Sequence, residues 1–234
     1  GDNPRKFVEG LYRVGIGEPL DLEIPGYQPP IIRYPNKENW WKTTLPWMSI
    51  GYETQIAPIN TLAFYNAIAN NGKMVAPMLV KEIRSNGETI KTFETTVVKN
   101  SICGSQTLED IKTCLHDVVW DNNLGTASVY KWKGHIAKYK AQSQLVPIAG
   151  KTGTAQVMEN GRYYSNKHRM SFVGYFPEDA PQYSCICVIH GPRNKGLYDA
   201  GMDCGSVVRH IAEKTMAYTN EYVLQNGNLV FKNK

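Results

Sequence analysis

The sequence predicts an α+β fold with an antiparallel sheet flanked by helices, and three observations carry that prediction. Apolar residues recur at helical spacing over 58–72, 107–120 and 202–218. Extended apolar runs occupy 148–158, 169–176 and 183–190. The connections between those runs hold Asn160-Gly161 and the stretch from Pro177 to Pro181, so the three read as an antiparallel meander.

The elements follow in order. A short amphipathic stretch at 7–14 opens the chain. Pro25, Pro29, Pro30, Pro35 and Pro46 then mark irregular structure laid over a core, because proline removes backbone donors and fixes φ. A helix begins at Pro58, a good first-turn residue, and runs through Ile59, Leu62, Ala63 and Ala67 to Asn71-Gly72. Residues 80–90 form a hairpin about Asn86-Gly87, a dipeptide suited to a type I′ turn. Over 107–120 the residues Leu108, Ile111, Leu115, Val118 and Val119 fall on one face, and Thr107 with Asp110 resembles a capping box. The helix at 202–218 aligns Cys204, Val207, Val208, Ile211, Thr215 and Tyr218 in one stripe. Asn226-Gly227 centres a last hairpin, 222–231.

Composition excludes several classes. With 42% hydrophobic and 20% charged residues the chain has ordinary globular usage, which rules out a disordered or fibrous protein. Its 234 residues can enclose a sizeable core in one large or two small domains. Apolar runs such as 186–189 are too short to cross a bilayer, and the opening Gly1-Asp2-Asn3-Pro4 reads as a cut within a longer chain. The net charge of +5 is modest. Lys131, Lys133, Lys138 and Lys140 interleave with Tyr130, Trp132 and Tyr139; this reads as a solvated loop, and no nucleic-acid partner is expected. Five cysteines, an odd number without paired CxxC motifs, point to buried free thiols, with Cys185 and Cys187 on one strand face.

The chemistry concentrates in Lys151-Thr152-Gly153-Thr154, at the start of an extended run. Such a triplet arises by chance in roughly one chain in ten of this length, and its bland meaning is an edge strand with a surface lysine. Its residue types nevertheless suit an anion. Lysine supplies a compact charge with three donors, and Thr152 and Thr154 project hydroxyls from one strand face. Gly153 leaves the backbone open to an extended peptide, and an edge N–H can stabilise a developing oxyanion.

Gly150-Lys151-Thr152-Gly153-Thr154-Ala155-Gln156 resembles the third signature of high-molecular-weight penicillin-binding proteins. Ser49-Ile50-Gly51-Tyr52, Ala57-Pro58-Ile59 and the stretch from Tyr65 to Gly72 are similar to a class B signature, particularly of the division type. Gly125-Thr126-Ala127 and Ser171-Phe172-Val173-Gly174-Tyr175-Phe176-Pro177 fit in the same order. Glu53 stands where that family usually has glycine, and Asn60 where it often has glutamine.

The resemblance implies a partial penicillin-binding protein or serine β-lactamase-like fold, whose upstream strands and nucleophile helix lie outside this sequence. It makes 1–234 the C-terminal portion of a transpeptidase domain, with a core at about 5–218 and a hairpin or tail at 219–234. For the intact protein it implies a serine D,D-transpeptidase that cross-links peptidoglycan stem peptides ending in D-Ala-D-Ala and is acylated by β-lactam antibiotics. Lys151 and Thr154 would then be catalytic, with Thr152, Gly153 and Thr154 holding substrate, and no metal or organic cofactor is implied. Partners would be cell-wall glycosyltransferase and division proteins. The location would be the extracytoplasmic, periplasmic face of the bacterial inner membrane, on an N-terminal transmembrane helix outside this chain. A β-lactam-binding sensor or scaffold module and a carboxypeptidase or β-lactamase-type hydrolase are the alternatives.

The family chemistry also needs an S-x-x-K serine and an S-x-N element. No S-x-N occurs, and Ser128-Val129-Tyr130-Lys131, the sole S-x-x-K, falls after Gly125-Thr126-Ala127 instead of well upstream. This fragment is therefore expected to be inactive alone. Without the upstream strands, the run 183–190 would lie at a sheet edge, covered by the hairpin 222–231 or by a second copy in a homodimer.

Overall fold

A computed structural model describes residues 3–22, 24–36, 38–121, 123–128, 146–159, 162–191, 199–219, 222–225 and 228–231. The lysine-rich segment at 130–140, Asn160-Gly161 and Asn226-Gly227 lie outside the described residues. The chain divides into two compact units, 1–108 and 109–234. Among the described residues no helix is long and apolar enough to cross a membrane.

The first unit opens on α1 (Pro4–Arg13), whose N-terminus is capped by the Asn3 side chain accepting from the Lys6 N–H at 3.1 Å. The amphipathic stretch expected at 7–14 thus starts three residues earlier. Its Val8 is buried with Ile32 and Met48, and Phe7, Leu11, Ile16 and Trp40 close around them. The proline-rich region is largely irregular, with β1 (Ile31–Ile32) pairing antiparallel with β2 (Thr54–Gln55) and α2 (Thr44–Ser49) between them. After α2 the chain turns sharply at Gly51 (φ 96°) and again at Glu53 (φ 60°), both in the left-handed region. Glycine, which the resemblance leads one to expect at position 53, takes that conformation at no steric cost. Here Glu53 takes it and pairs with Arg33 at 2.9 Å.

Helix α3 (Pro58–Ala69) begins at the expected proline and closes at Asn71-Gly72, where the Gly72 N–H reaches back to the Ala67 carbonyl at 2.7 Å. Asn60 is buried in it, its Nδ2 donating to the Glu18 carbonyl at 3.2 Å and to the Tyr27 hydroxyl at 3.3 Å. A shorter amide thus serves where the resemblance leads one to expect glutamine. Beyond α3, β3 (Met74–Val75) pairs with β6 (Val97–Lys99), and β4 (Glu82–Ser85) with β5 (Glu88–Thr92). The β4–β5 hairpin turns through Asn86 (φ 51°) and Gly87 (φ 86°), both positive as a type I′ turn requires.

Helix α4 (Ser105–Trp120) crosses from the first unit into the second. It starts two residues before Thr107, which therefore sits inside the first turn, so the expected capping box is corrected. Leu108, Leu115 and Val119 are buried as expected; Ile111, also placed on that face, is exposed.

The second unit is built on a three-stranded antiparallel meander, β7 (Ala149–Glu159), β8 (Arg162–Phe176) and β9 (Tyr183–His190), in that spatial order. The meander is as expected, and β8 is longer than the sequence indicated. One face packs Ile148, Met170, Phe172 and Phe176 against Val119, Ala127, Cys204, Val208, Ala212 and Met216. Cys185, Cys187 and Ile189 of β9 complete that core.

A π-helical turn, Gly201–Gly205, leads into α5 (Ser206–Tyr218). The wider turn shifts the helical phase, which corrects the expected stripe. Cys204, Val208, Ala212 and Met216, spaced by four, face the core, whereas Val207, Ile211 and Tyr218 are exposed. Arg209 and Glu213 are also buried and pair at 2.6 Å. Five buried thiols were expected, and Cys204 alone is fully buried; Cys103, Cys185 and Cys187 are half-buried and Cys114 is exposed. Burial, and secondarily the neighbouring Cys187, pushes the Cys204 thiol up to about 12, so it stays protonated and unreactive.

The terminal hairpin forms from β10 (Tyr222–Gln225) and β11 (Asn228–Phe231), but among the described residues these strands pair only with each other. The expectation that the hairpin covers β9 is therefore corrected: its ladder closes on itself beside the end of α5. Among the described residues β8 is the one strand beside β9.

Two substitutions test this architecture. A non-glycine residue in the left-handed region costs about 1–2 kcal/mol, and a surface ion pair returns about 0–1 kcal/mol. Glu53→Gly should therefore raise the free energy of unfolding by about 1 kcal/mol in urea titration; a lowered midpoint would contradict the strain assignment. Glu213→Ala removes the 2.6 Å carboxylate contact from a buried guanidinium and should lower stability by about 3 kcal/mol or more. A calorimetric melting temperature unchanged by that substitution would contradict the buried pair.

Candidate active site

The site is assembled entirely within the second unit, from the end of α4 forward. Trp120, the last residue of α4, donates its indole N–H to the Ile148 carbonyl at 3.0 Å, fixing the entry to β7. Just past the helix, the Asp121 carboxylate accepts the N–H groups of Asn123 (2.7 Å) and Leu124 (2.8 Å). Those bonds, Leu124 foremost, hold its carboxyl below the ordinary aspartate value. The turn they form carries Gly125-Thr126-Ala127. Its backbone is pinned by Ala127 N–H to Val118 O at 2.9 Å and Ser128 N–H to Gly125 O at 3.2 Å.

Lys151-Thr152-Gly153-Thr154 lies on β7, the strand at the outer edge of the meander, and is hydrogen-bonded to β8 alone among the described strands. Its ladder pairs Lys151 with Val173, Thr152 with Phe172, Gly153 with Ser171 and Thr154 with Met170. Residues opposite one another share a face. Thr152 and Thr154 therefore stand on the side of Phe172 and Met170, and Lys151 on the other.

Lys151 is exposed and folds back so that its Nζ donates to the Thr152 carbonyl at 2.8 Å. The cation is thus held at the strand. Thr152 is half-buried, and its hydroxyl lies 2.8 Å from that of Thr126; Thr154 is exposed. The four residues named from sequence are therefore contiguous on an accessible edge strand, a positive head group and two hydroxyls beside backbone that can accept an added strand.

The glycines of this stretch differ in how tightly they are enclosed. A Cβ at Gly153 would lie 2.7 Å from the Ser171 hydroxyl. At Gly150 it would meet the Val173 carbonyl at 2.5 Å and the Phe172 ring at 2.6 Å, and opposite, at Gly174, the Ala149 carbonyl at 2.6 Å. The Gly150–Gly174 pair thus makes room for the Phe172 ring on the core face. On the other face Tyr175 is buried; desolvation, then Glu178 and Glu109, push its phenol up to about 12, so it remains neutral.

Ser128, the serine of the sole S-x-x-K, is 1% exposed behind the 125–127 turn, an inaccessible position for a nucleophile; Lys131 lies outside the described residues. Two groups that shape the site escaped sequence reasoning. Thr126 was legible only as part of a landmark motif, and Ser171 as part of the strand after it. Their contacts with β7 are tertiary.

The sequence matches the family described as the penicillin binding protein transpeptidase domain over residues 3–216. It is 24% identical over 211 residues to penicillin-binding protein PbpB of Mycolicibacterium smegmatis, covering 89% of this chain and 31% of that protein. It is 27% identical over 195 residues to a probable peptidoglycan D,D-transpeptidase, PbpC, of Pseudomonas aeruginosa, covering 83% and 30%. The chain thus spans about a third of the length of these curated relatives. Among solved structures, penicillin-binding protein 3 of Mycobacterium tuberculosis complexed with ampicillin superposes with a TM-score of 0.73 at 22% identity, over 99% of this chain and 50% of that one. Penicillin-binding protein 2X of Streptococcus thermophilus gives 0.72 at 20% identity, over 92% and 30%. The likeness in fold and the match over most of the sequence agree with the edge strand just described: this chain belongs to the penicillin-binding protein transpeptidase domain family, in its class B branch.

Proposed function

We propose that this chain supplies the substrate-cradling half of a serine D,D-transpeptidase that cross-links peptidoglycan at the extracytoplasmic face of the bacterial membrane, during division. The observation that carries this is the exposed Lys151-Thr152-Gly153-Thr154 segment at a sheet edge, with its register on β8 fixed residue by residue. The division assignment rests on Ser49-Ile50-Gly51-Tyr52 and the helix signature through Gly72, whose turn conformations account for the glycine preferences of that stretch.

In this reading a stem peptide ending in D-Ala-D-Ala lies along the free edge of β7 and pairs with its backbone. The terminal carboxylate is held by the Thr152 and Thr154 hydroxyls near the Lys151 charge. A serine from outside this chain attacks the penultimate D-alanine carbonyl, and the C–N bond to terminal D-alanine breaks as that amine takes a proton and leaves. The Thr154 N–H donates to the transient oxyanion. A neighbouring stem amine then attacks the ester, releasing the serine with its proton returned. Lys151 orients the proton-relaying polar element and keeps the anionic end in place. A β-lactam, carrying a carboxylate beside a strained amide, enters the same cradle and remains as an acyl-enzyme.

Labelling with a fluorescent penicillin tests this directly. The intact protein should be labelled and the label blocked by ampicillin, while residues 1–234 alone stay dark. A covalent adduct on residues 1–234 would overturn the exclusion of Ser128. In the intact protein, Lys151→Ala should lower the acylation rate by about 10²-fold or more; labelling at the original rate would remove Lys151 from the mechanism.

A further inference from the structure

The geometry points to Thr126 as a positioning residue for the β7 cradle: its hydroxyl aims the Thr152 hydroxyl at the carboxylate of the incoming ligand. This rests on the proposed function in one respect only, that Thr152 receives a carboxylate.

The two hydroxyl oxygens are 2.8 Å apart and 26 residues apart in sequence. Each hydroxyl has one proton. When the Thr126 O–H donates to Thr152, the Thr152 oxygen is satisfied as an acceptor and its own proton is free to point at an anion. Chained hydrogen bonds of this kind polarise one another and strengthen the outer donor. The contact also selects one χ1 rotamer of Thr152, so the donor need not be ordered when the ligand arrives.

Positioning demands that Thr126 itself be held, and its surroundings do this. A Cβ on Gly201 would collide with the Thr126 carbonyl oxygen and fall 2.7 Å from the Ala127 Cα, so the start of the π turn is seated directly against the 126–127 backbone. Asp199 fixes that start, accepting from the Gly201 N–H at 2.9 Å and the Met202 N–H at 3.1 Å. On the other side, Ala127 is fully buried and bonded to Val118. Thr126 is thus clamped between the end of α4 and the π turn, with its hydroxyl on β7.

The experiment compares Thr126→Val and Thr126→Ser in the intact protein, reading acylation by benzylpenicillin and by its methyl ester, which lacks the anion. Thr126→Val should lower the second-order acylation rate of the acid about tenfold, through weaker binding before acylation, and leave the ester within twofold of wild type. Thr126→Ser should restore the acid rate to within twofold. On a Thr152→Val background, Thr126→Val should add nothing further. Equal losses on acid and ester, or independent effects of the two substitutions, would overturn the inference. Should the wild-type protein take no label, the proposed function fails, and the positioning role is then decided by NMR couplings of Thr152. One χ1 rotamer in wild type and Thr126→Ser, with averaging in Thr126→Val, supports it; an unaveraged rotamer in Thr126→Val overturns it.

Discussion

A cradle made of side chains on an edge strand holds its shape only if the strand's other edge and its entry point are fixed. In this molecule the constraint is met by the β7–β8 ladder, which pairs every residue from Ala149 to Gln156, and by the Trp120 indole on the Ile148 carbonyl. The ladder sets which face each side chain takes, and a slip of one residue would exchange Lys151 with the two threonines. Phe172, inserted over the Gly150–Gly174 pair and packed into the core, keys that register. The core and the site are therefore one construction: the residue that buries the sheet also indexes the strand proposed to meet the ligand.

Much of this was legible in the sequence because it is decided locally. The turn at Asn86-Gly87, the close of α3 at Asn71-Gly72 and the order of the three strands follow from backbone preferences and apolar alternation that any window of ten residues displays. Three features were not. Ser105 and Gln106 extend α4 ahead of Thr107, against a capping pattern that pointed to a later start. The π turn at Gly201–Gly205 alters the helical phase, so regular spacing placed Val207, Ile211 and Tyr218 inside when they lie outside. The terminal hairpin was recognised from its turn, but whether it would pair with itself or with β9 depends on a competition between ladders that no local pattern encodes.

The site divides along the same line. Lys151, Thr152, Gly153 and Thr154 are consecutive, so a motif reveals them, and alternation assigns their faces. What holds them is dispersed: Thr126 on a turn capped by Asp121, Ser171 on the neighbouring strand, Asp199 and Gly201 at the π turn. None of these positions is chemically unusual on its own. Their significance is positional and emerges only when the chain has folded.

The glycines at 150 and 174 have a consequence for how such a strand can vary. A side chain at 153 meets only the Ser171 hydroxyl, which a rotation of that serine can move aside, whereas a side chain at 150 or 174 would run into the carbonyl oxygen of Val173 or Ala149 on the facing strand. Backbone cannot step aside without parting the two strands. Variation is therefore tolerated more readily at 153 than at the glycine pair beneath it, where any added carbon would cost the ladder itself.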